Sequence, residues 1–461
     1  MNEIERRVLL GAAGAGALAA VASAAGRGPI NPPAGSVGST GKMLSEVEPR
    51  TPISSLPFVI STPGSYYLTG NLAVSSPTHG ITVNASGVEI DLNGFALTGV
   101  NSNNSSAIQC GSSLASIAVR NGRLLNWWGG VDVRFVTRAR VENVECTGPG
   151  TGVNVSALGI GVGPSSAVIN CAVSGFGICI NVLGTNNAGG IVSNCRVTAA
   201  RDIGILTGAL SLVEGCSVIA DAGASAAAAG IQVGNGSVVR GCTISNWAQG
   251  VATVFANSQA AVIGCEIAGS ASAAGIVAPS GRLLAEGCQI VAGTGISCGD
   301  GSLVRNCTVS NVSAARSGSA GITTGNIARV EGCTVFSYAD GIIAAVSTTL
   351  ERCTVNNCTT AVRAGSYCAV RDCTLDYGTT GVFANGVQLR VVDNKISRFD
   401  PCVNCNDYNS SLVARNQFSE TGANPVINAN GSCAVGPLLV AGSGAGGIAA
   451  AGANPWGNVR I

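Results

Sequence analysis

Charge is scarce in this chain of 461 residues. Asp, Glu, Lys and Arg make up 11% of it, and 25 basic residues nearly balance 24 acidic ones. That balance leaves no global field to draw in nucleic acid or an anionic membrane, and no basic run supplies one locally. So little charge also argues against an ordinary helical enzyme. Aromatic residues account for 4%, and the one histidine, His79, confines any imidazole chemistry to a single place. Beyond the N-terminal segment no apolar run reaches the ~18 residues a membrane helix needs. Glycine is abundant (65 residues), and 46% of the chain is hydrophobic. This is too apolar for disorder and reads as a β-rich, turn-rich solid.

The N-terminus carries Arg6-Arg7-Val8-Leu9-Leu10, an Ala/Gly/Leu stretch to about Val21, then Ala22-Ser23-Ala24, a small-x-small cleavage pattern. Paired arginines before a mildly hydrophobic segment resemble a twin-arginine export signal; an ordinary secretory signal or a retained anchor is the alternative. Residues 1–24 are read as a signal peptide. The mature protein is then expected outside the cytoplasm (periplasmic, cell-surface or secreted) with no membrane span. Residues 25–55 are read as a linker and N-terminal cap, 56–435 as the body, and 436–461 as a Gly/Ala-rich tail.

Nineteen cysteines in an exported protein would ordinarily mean a disulfide scaffold. Their spacing argues otherwise. Eleven sit in one phrase, an apolar residue, two turn-like residues, Cys, any residue and an apolar one, as in Val-Glu-Gly-Cys-Ser-Val around Cys216. The series is Cys146, Cys171, Cys195, Cys216, Cys242, Cys265, Cys288, Cys307, Cys333, Cys353 and Cys373, at separations of 19 to 26 residues. Asn394 and Asn416 continue it, and Gly122 holds the slot upstream.

Asn or Gly stands just before most of these cysteines, which marks a left-handed bend at a fixed place in each repeat. A second phrase, Gly followed by Ile or Val, recurs at Gly177, Gly204, Gly230, Gly250, Gly275, Gly295, Gly321, Gly341 and Gly381. Each repeat thus resolves into three short strands. The distance from Cys forward to the next Gly-Ile varies from 6 to 14 residues, so the adaptable loops gather on one corner, the expected working face.

A period this short and persistent predicts an all-β, right-handed parallel β-helix solenoid of about 13 coils of roughly 22 residues. Coils stack ~4.8 Å apart, so Cys216, Cys242, Cys265, Cys288, Cys307, Cys333, Cys353 and Cys373 form an interior ladder. Parallel Cβ vectors there suit free thiols acting as small hydrophobes better than disulfides. A column one coil apart does not provide the converging ligands of a metal site, so no metal is expected. A chain with many buried thiols also profits from export in an already folded state. Glu214, Arg240, Glu286, Arg305, Glu331, Glu351 and Arg371 follow the bend-side apolar residue and are expected to stack outward as a column of mixed sign.

The Gly-Ile and Asn/Gly-Cys-x-Val coils are joined by two opening segments, Pro63-Gly64-Ser65-Tyr66-Tyr67-Leu68 and Gly87-Val88-Glu89-Ile90-Asp91-Leu92-Asn93-Gly94. Together they resemble bacterial right-handed β-helix repeat proteins of the pectin-lyase-like fold, over about residues 56 to 435. The tail Asn454-Pro455-Trp456 is similar to that of such exported proteins. The resemblance implies the fold; the fold hosts lyases, hydrolases, epimerases, tailspikes and adhesins, so it does not imply one activity. Lyases of this fold use a basic residue with calcium-bound acidic groups, and no Asp cluster lies beside a basic residue here. The hydrolases carry Gly-His-Gly and Arg-x-Lys, whereas His79 follows Thr78 and no Arg-x-Lys occurs. The epimerases carry Asp-Pro-His, whereas Asp400-Pro401 is followed by Cys402.

On the variable corner, Phe176, Trp247, Tyr338 and Phe399 fall five residues after the cysteine slot, Tyr377 falls four after it, and Asp202 and Asp340 precede Gly-Ile. Aromatic faces beside carboxylates suit sugar rings, which makes Trp247, Tyr338, Tyr377, Asp202 and Asp340 carbohydrate-contact candidates; packing of the corner is the alternative. Trp127-Trp128 is open to the same two readings. Cys402-x-x-Cys405 resembles a redox or metal pair, against a loop disulfide or free thiols. The expected function is an exported rod presenting an elongated face to extracellular polysaccharide or the cell envelope, with no cofactor and no evident catalysis. The alternative is a polysaccharide lyase, which would bring calcium, or a glycoside hydrolase, which would need a carboxylate pair ~5 to 9.5 Å apart.

Overall fold

A computed structural model describes residues 49–460 apart from 112, 150–156, 183–188, 221–227, 255–257, 314–318, 406–409, 420–425, 430–432 and 441–456. The chain divides into two units, Met1–Pro49 and Arg50–Ile461. The export signal and most of the expected linker therefore lie outside the described residues, as does much of the variable corner.

The second unit is an all-β parallel solenoid with no helix among the described residues, of about 15 turns of ~23 residues rather than about 13 of 22. Its strands are short and every pairing is parallel, each strand bonding to its equivalent one coil earlier and one coil later. Right-handed winding is the hand that twisted parallel strands favour. The extra turns come from the two ends. Thr51–Ile53 already pairs with Gly64–Leu68, and Asn458–Arg460 pairs with Gln417–Ser419, so coils extend past the cysteine series in both directions.

Three sheets enclose one core. The first stacks the residue after Gly: Ile205, Ile231, Val251, Ile276, Ile296, Ile322 and Ile342. The second stacks the valine before the bend (Val192, Val213, Val239, Val262), and the third the apolar residue two after the slot (Val197, Val218, Ile244, Ile267). These side chains are almost wholly buried, and each contributes ~1.5–3 kcal/mol on leaving water. Glycine recurs in the first sheet where the interior is full, although Cys179, Ala361 and Cys402 hold the equivalent place on other coils. A Cβ on Gly295 would lie 2.1 Å from the Gly321 carbonyl oxygen and 2.2 Å from a Val309 methyl.

The bend recurs with φ between +52° and +61° at Asn170, Asn194, Gly215, Gly241, Gly264, Gly287, Asn306 and Gly332. Further on, Arg352, Asp372, Asp393 and Arg415 adopt the same conformation. The register corrects the cysteine series at its start. Gly122 pairs with Val144, which leads into Glu145 opposite Ala172, so Val144 holds the slot and Cys146 lies two residues on, opposite Leu124 and Val173. The reason is the bend: Asn143, at φ +55°, precedes Val144. From Cys171 to Cys373 the ladder is continuous, and Asn394, Asn416 and Asn458 extend it.

All nineteen cysteines are free thiols, eighteen of them buried. Most ladder thiols donate to the carbonyl two residues back, as Cys216 does to Glu214 at 3.4 Å. Cys402 and Cys405 are both buried. Burial pushes the thiols of Cys179 and Cys402 up to about 12 and that of Cys298 up to about 11. Each therefore keeps its proton in the folded protein while the unfolded chain, titrating near the usual 9, releases it. Stability is fully present below pH 9 and falls as pH rises from there toward 12, by up to ~1.4 kcal/mol per pH unit for each group. Denaturant midpoints measured from pH 8 to 11 should decline over that interval; a flat profile would contradict sealed thiols.

Candidate functional site

The left-handed conformation that shapes the bend also decides which corner aromatics face outward. Asn246, Ser337 and Arg398, at φ +58° to +66°, immediately precede Trp247, Tyr338 and Phe399. The turn sends those rings into the core. Trp247 is 2% exposed and donates through Nε1 to the Val218 carbonyl at 3.3 Å; Tyr338 is 0% exposed and donates to the Ala292 carbonyl at 2.8 Å. Gly230 and Gly321 leave room for them, since a Cβ at either would come 3.0–3.1 Å from the ring. Burial accordingly pushes the Tyr338 hydroxyl above its usual range. Trp247 and Tyr338 are thus core residues and not carbohydrate contacts, and Trp127 joins them, donating to the Leu97 carbonyl at 2.9 Å.

Tyr377 differs by one position. It is itself the left-handed residue, at φ +61°, and its ring is 49% exposed. Tyr367, at φ +60° and 55% exposed, takes the same conformation at another corner, so the backbone shape is that of the repeat, and what sets Tyr377 apart is its surroundings. The interior place falls to Gly378, where a Cβ would meet the Cys358 carbonyl oxygen at 1.9 Å and the Phe399 ring at 2.5 Å.

Around Tyr377 the register assembles a polar corner. Phe336, Asn356, Asp376 and Ser397 stack outward on four successive coils. Asp376 accepts from Arg398 Nε at 2.8 Å, from Arg398 Nη2 and from Ser397 Oγ at 2.9 Å. The Arg398 guanidinium in turn lies over the Tyr377 ring, 5.5 Å from its centroid. One coil back, Asn357 Nδ2 donates to Ser337 Oγ at 2.9 Å. Phe336, Ser337, Asn356, Asn357, Tyr377 and Arg398 line an open cleft of about 470 Å³. The hydrogen bond from Arg398 holds the Asp376 carboxyl below the usual carboxylate range, outweighing its partial desolvation. The corner can offer a ring face, amide and hydroxyl groups and a fixed guanidinium, a set suited to neutral or acidic sugars.

The two candidate aspartates do not meet. Asp340 pairs with Arg363 Nη2 at 3.0 Å, and Arg363 stacks on Phe383 at 5.1 Å. Asp202 precedes Ile203, whose position reaches that of Asp340 through Ala229, Gln249, Ala274, Thr294 and Ala320. Six coils separate them, ~29 Å at ~4.8 Å each, beyond the span of paired catalytic carboxylates. His79 accepts from the Ser106 amide through Nδ1 at 3.2 Å. Among the described residues no three His, Cys, Asp or Glu side chains are grouped as a metal ion would require, and no helix is long and apolar enough to cross a membrane.

The charged column stacks as expected, with Glu214 beside Arg240, Glu286 beside Arg305 and Glu351 beside Arg371. Its densest point is Glu351, which binds Arg352 at 2.7 Å, Arg329 at 3.0 Å and Arg371 at 3.1 Å. Burial raises its carboxyl, but the Arg371 hydrogen bond and the three positive charges outweigh this and hold it low. Arg329 and Arg352 were not legible as partners, because they occupy other positions of the repeat.

No family model matches the chain, and a comparison with curated proteins finds no match. Among solved structures it is similar to the A-module of the Azotobacter vinelandii mannuronan C-5 epimerase AlgE6, at 10% identity and a TM-score of 0.28 over 80% of this chain and 92% of that one. It is also similar to tailspike protein 3 of bacteriophage CBA120, at 12% identity and a TM-score of 0.25 over 87% of this chain and 60% of that one. The solenoid itself defines the class, a parallel β-helix. At such TM-scores neither likeness bears on chemistry.

Proposed function

We propose that the protein is an extracytoplasmic polysaccharide-recognition rod that binds glycan at the Tyr377 corner without turning it over. The observation that carries this reading is the exposed Tyr377 ring, stacked under Arg398 at the edge of a cleft lined with amides and a hydroxyl. The paired arginines at positions 6 and 7 support an extracytoplasmic setting. Separation of Asp202 from Asp340 supports binding over hydrolysis.

The test is a panel of neutral and acidic polysaccharides, with and without calcium, read both for binding and for reducing ends or unsaturated products. Binding without product is expected, and Tyr377→Ala should weaken it about tenfold, equivalent to ~1.4 kcal/mol. Turnover on any glycan would sink the non-catalytic reading. Because Arg398 keeps Asp376 ionised, affinity for a neutral glycan should stay level from pH 8 to 5. It should fall only as pH drops below the usual carboxylate range near ~3.9, where Asp376 protonates and releases Arg398.

A further inference from the structure

The outer face of the valine sheet carries a second feature that glycan binding does not use. On five successive coils the outward residue before the buried valine, or before Ala285 on the fourth, is apolar: Leu212, Val238, Ala261, Leu284 and Leu303. Ile191, 43% exposed, continues the stripe by one coil. A solvated sheet face normally presents polar residues at such positions. Two shallow clefts open along it, of about 350 and 330 Å³, the first lined by Val238, Ala261, Leu284 and Leu303, the second by Ile191 and Leu212.

Beside the stripe, two residues along each strand, run Glu214, Arg240, Ile263, Glu286 and Arg305. Reversed, this order exchanges every charge for its opposite and leaves Ile263 in place. A second copy turned by a two-fold axis lying along the Ala261–Ile263 strand would set Glu214 on Arg305 and Arg240 on Glu286. The same rotation sets Leu212 on Leu303, Val238 on Leu284, and Ala261 and Ile263 on themselves. A parallel side-by-side arrangement would instead set each charge on its own like. At the adjoining bend Gly241, Gly264 and Gly287 have open space where a Cβ would project, so no side chain blocks the approach.

We infer that two copies associate through this face as an antiparallel, isologous dimer centred on Ala261 and Ile263. The stripe with its charged column covers ~400 Å², about half the ~800 Å² each partner gives a standard interface. The dimer is therefore expected to be reversible, and its axial order places the two Tyr377 corners toward opposite ends.

Sedimentation equilibrium of the full chain over a range of concentrations tests this. The mass should rise with concentration from one chain toward two. Glu286→Arg combined with Arg305→Glu keeps the 2.8 Å intrachain ion pair in reversed sense, but opposes like charges to Arg240 and Glu214 of the second copy. It should weaken association at least tenfold; because Arg305 also stacks on Glu331, the thermal midpoint should drop slightly, by an amount the fourfold variant shares. Adding Glu214→Arg and Arg240→Glu should restore association. A monomer at every concentration, unchanged association in the first variant, or failure of the fourfold variant to recover while folded would each overturn the inference.

Discussion

Trp247→Ala is expected to cost about 3–5 kcal/mol of stability, the range for removing a buried Trp side chain, while glycan binding at the Tyr377 corner is unchanged. The ring fills the interior beside Gly204 and Gly230 and adds a hydrogen bond to the Val218 carbonyl. Its removal leaves a cavity. Trp247 belongs to the coil of Cys242, six coils from that of Cys373, or ~29 Å, so no shared contact couples it to the cleft. In a solenoid the damage is local, so the denaturant midpoint and the amplitude of any early transition should both be followed. A variant with wild-type stability and lost glycan affinity would return Trp247 to the surface.

A comparable loss is expected from Asn416→Leu, which preserves volume and removes polarity. Asn416 Oδ1 accepts from both the backbone amide and Nδ2 of Asn394 at 3.0 Å, and its Nδ2 reaches the carbonyls of Val391 and Ala414 at 2.9 and 3.1 Å. The substitution strands the Asn394 backbone amide, at ~1–3 kcal/mol, and one Nδ2 hydrogen, while Nδ2 keeps its bond to the Val370 carbonyl at 2.9 Å. Replacing Asn394, Asn416 and Asn458 together by Cys should cost less than the three single changes summed, because the partners disappear together. Strict additivity in urea denaturation would show that the three asparagines act independently.

The architecture was legible because each coil repeats one steric demand. A left-handed bend selects Gly or Asn, and the crowded first sheet favours Gly, so both leave a periodic mark. Where the bend is taken by Arg352, Asp372, Asp393 or Arg415, residue type no longer reports it, and the register is visible only in the pairing. Cys146 misled for a related reason: the thiol was taken as the marker, although Asn143 sets the slot. The site was harder to read still. Trp247 and Tyr377 differ by one residue in their distance from the slot, and across a left-handed corner one residue reverses inside and outside. The contact of Tyr377, Asp376 and Arg398 joins neighbouring coils, and no local motif announces it.

The coil from Cys333 to Arg352 shares its spacing with the next, so that Val335, Ile342 and Leu350 lie beside Val355, Val362 and Val370. Copying such a twenty-residue segment in tandem within the gene would add one rung whose upper and lower surfaces already fit their neighbours. Length in this molecule is therefore quantised and heritable in steps of ~4.8 Å. Selection can lengthen or shorten the distance between its ends without designing a new interface.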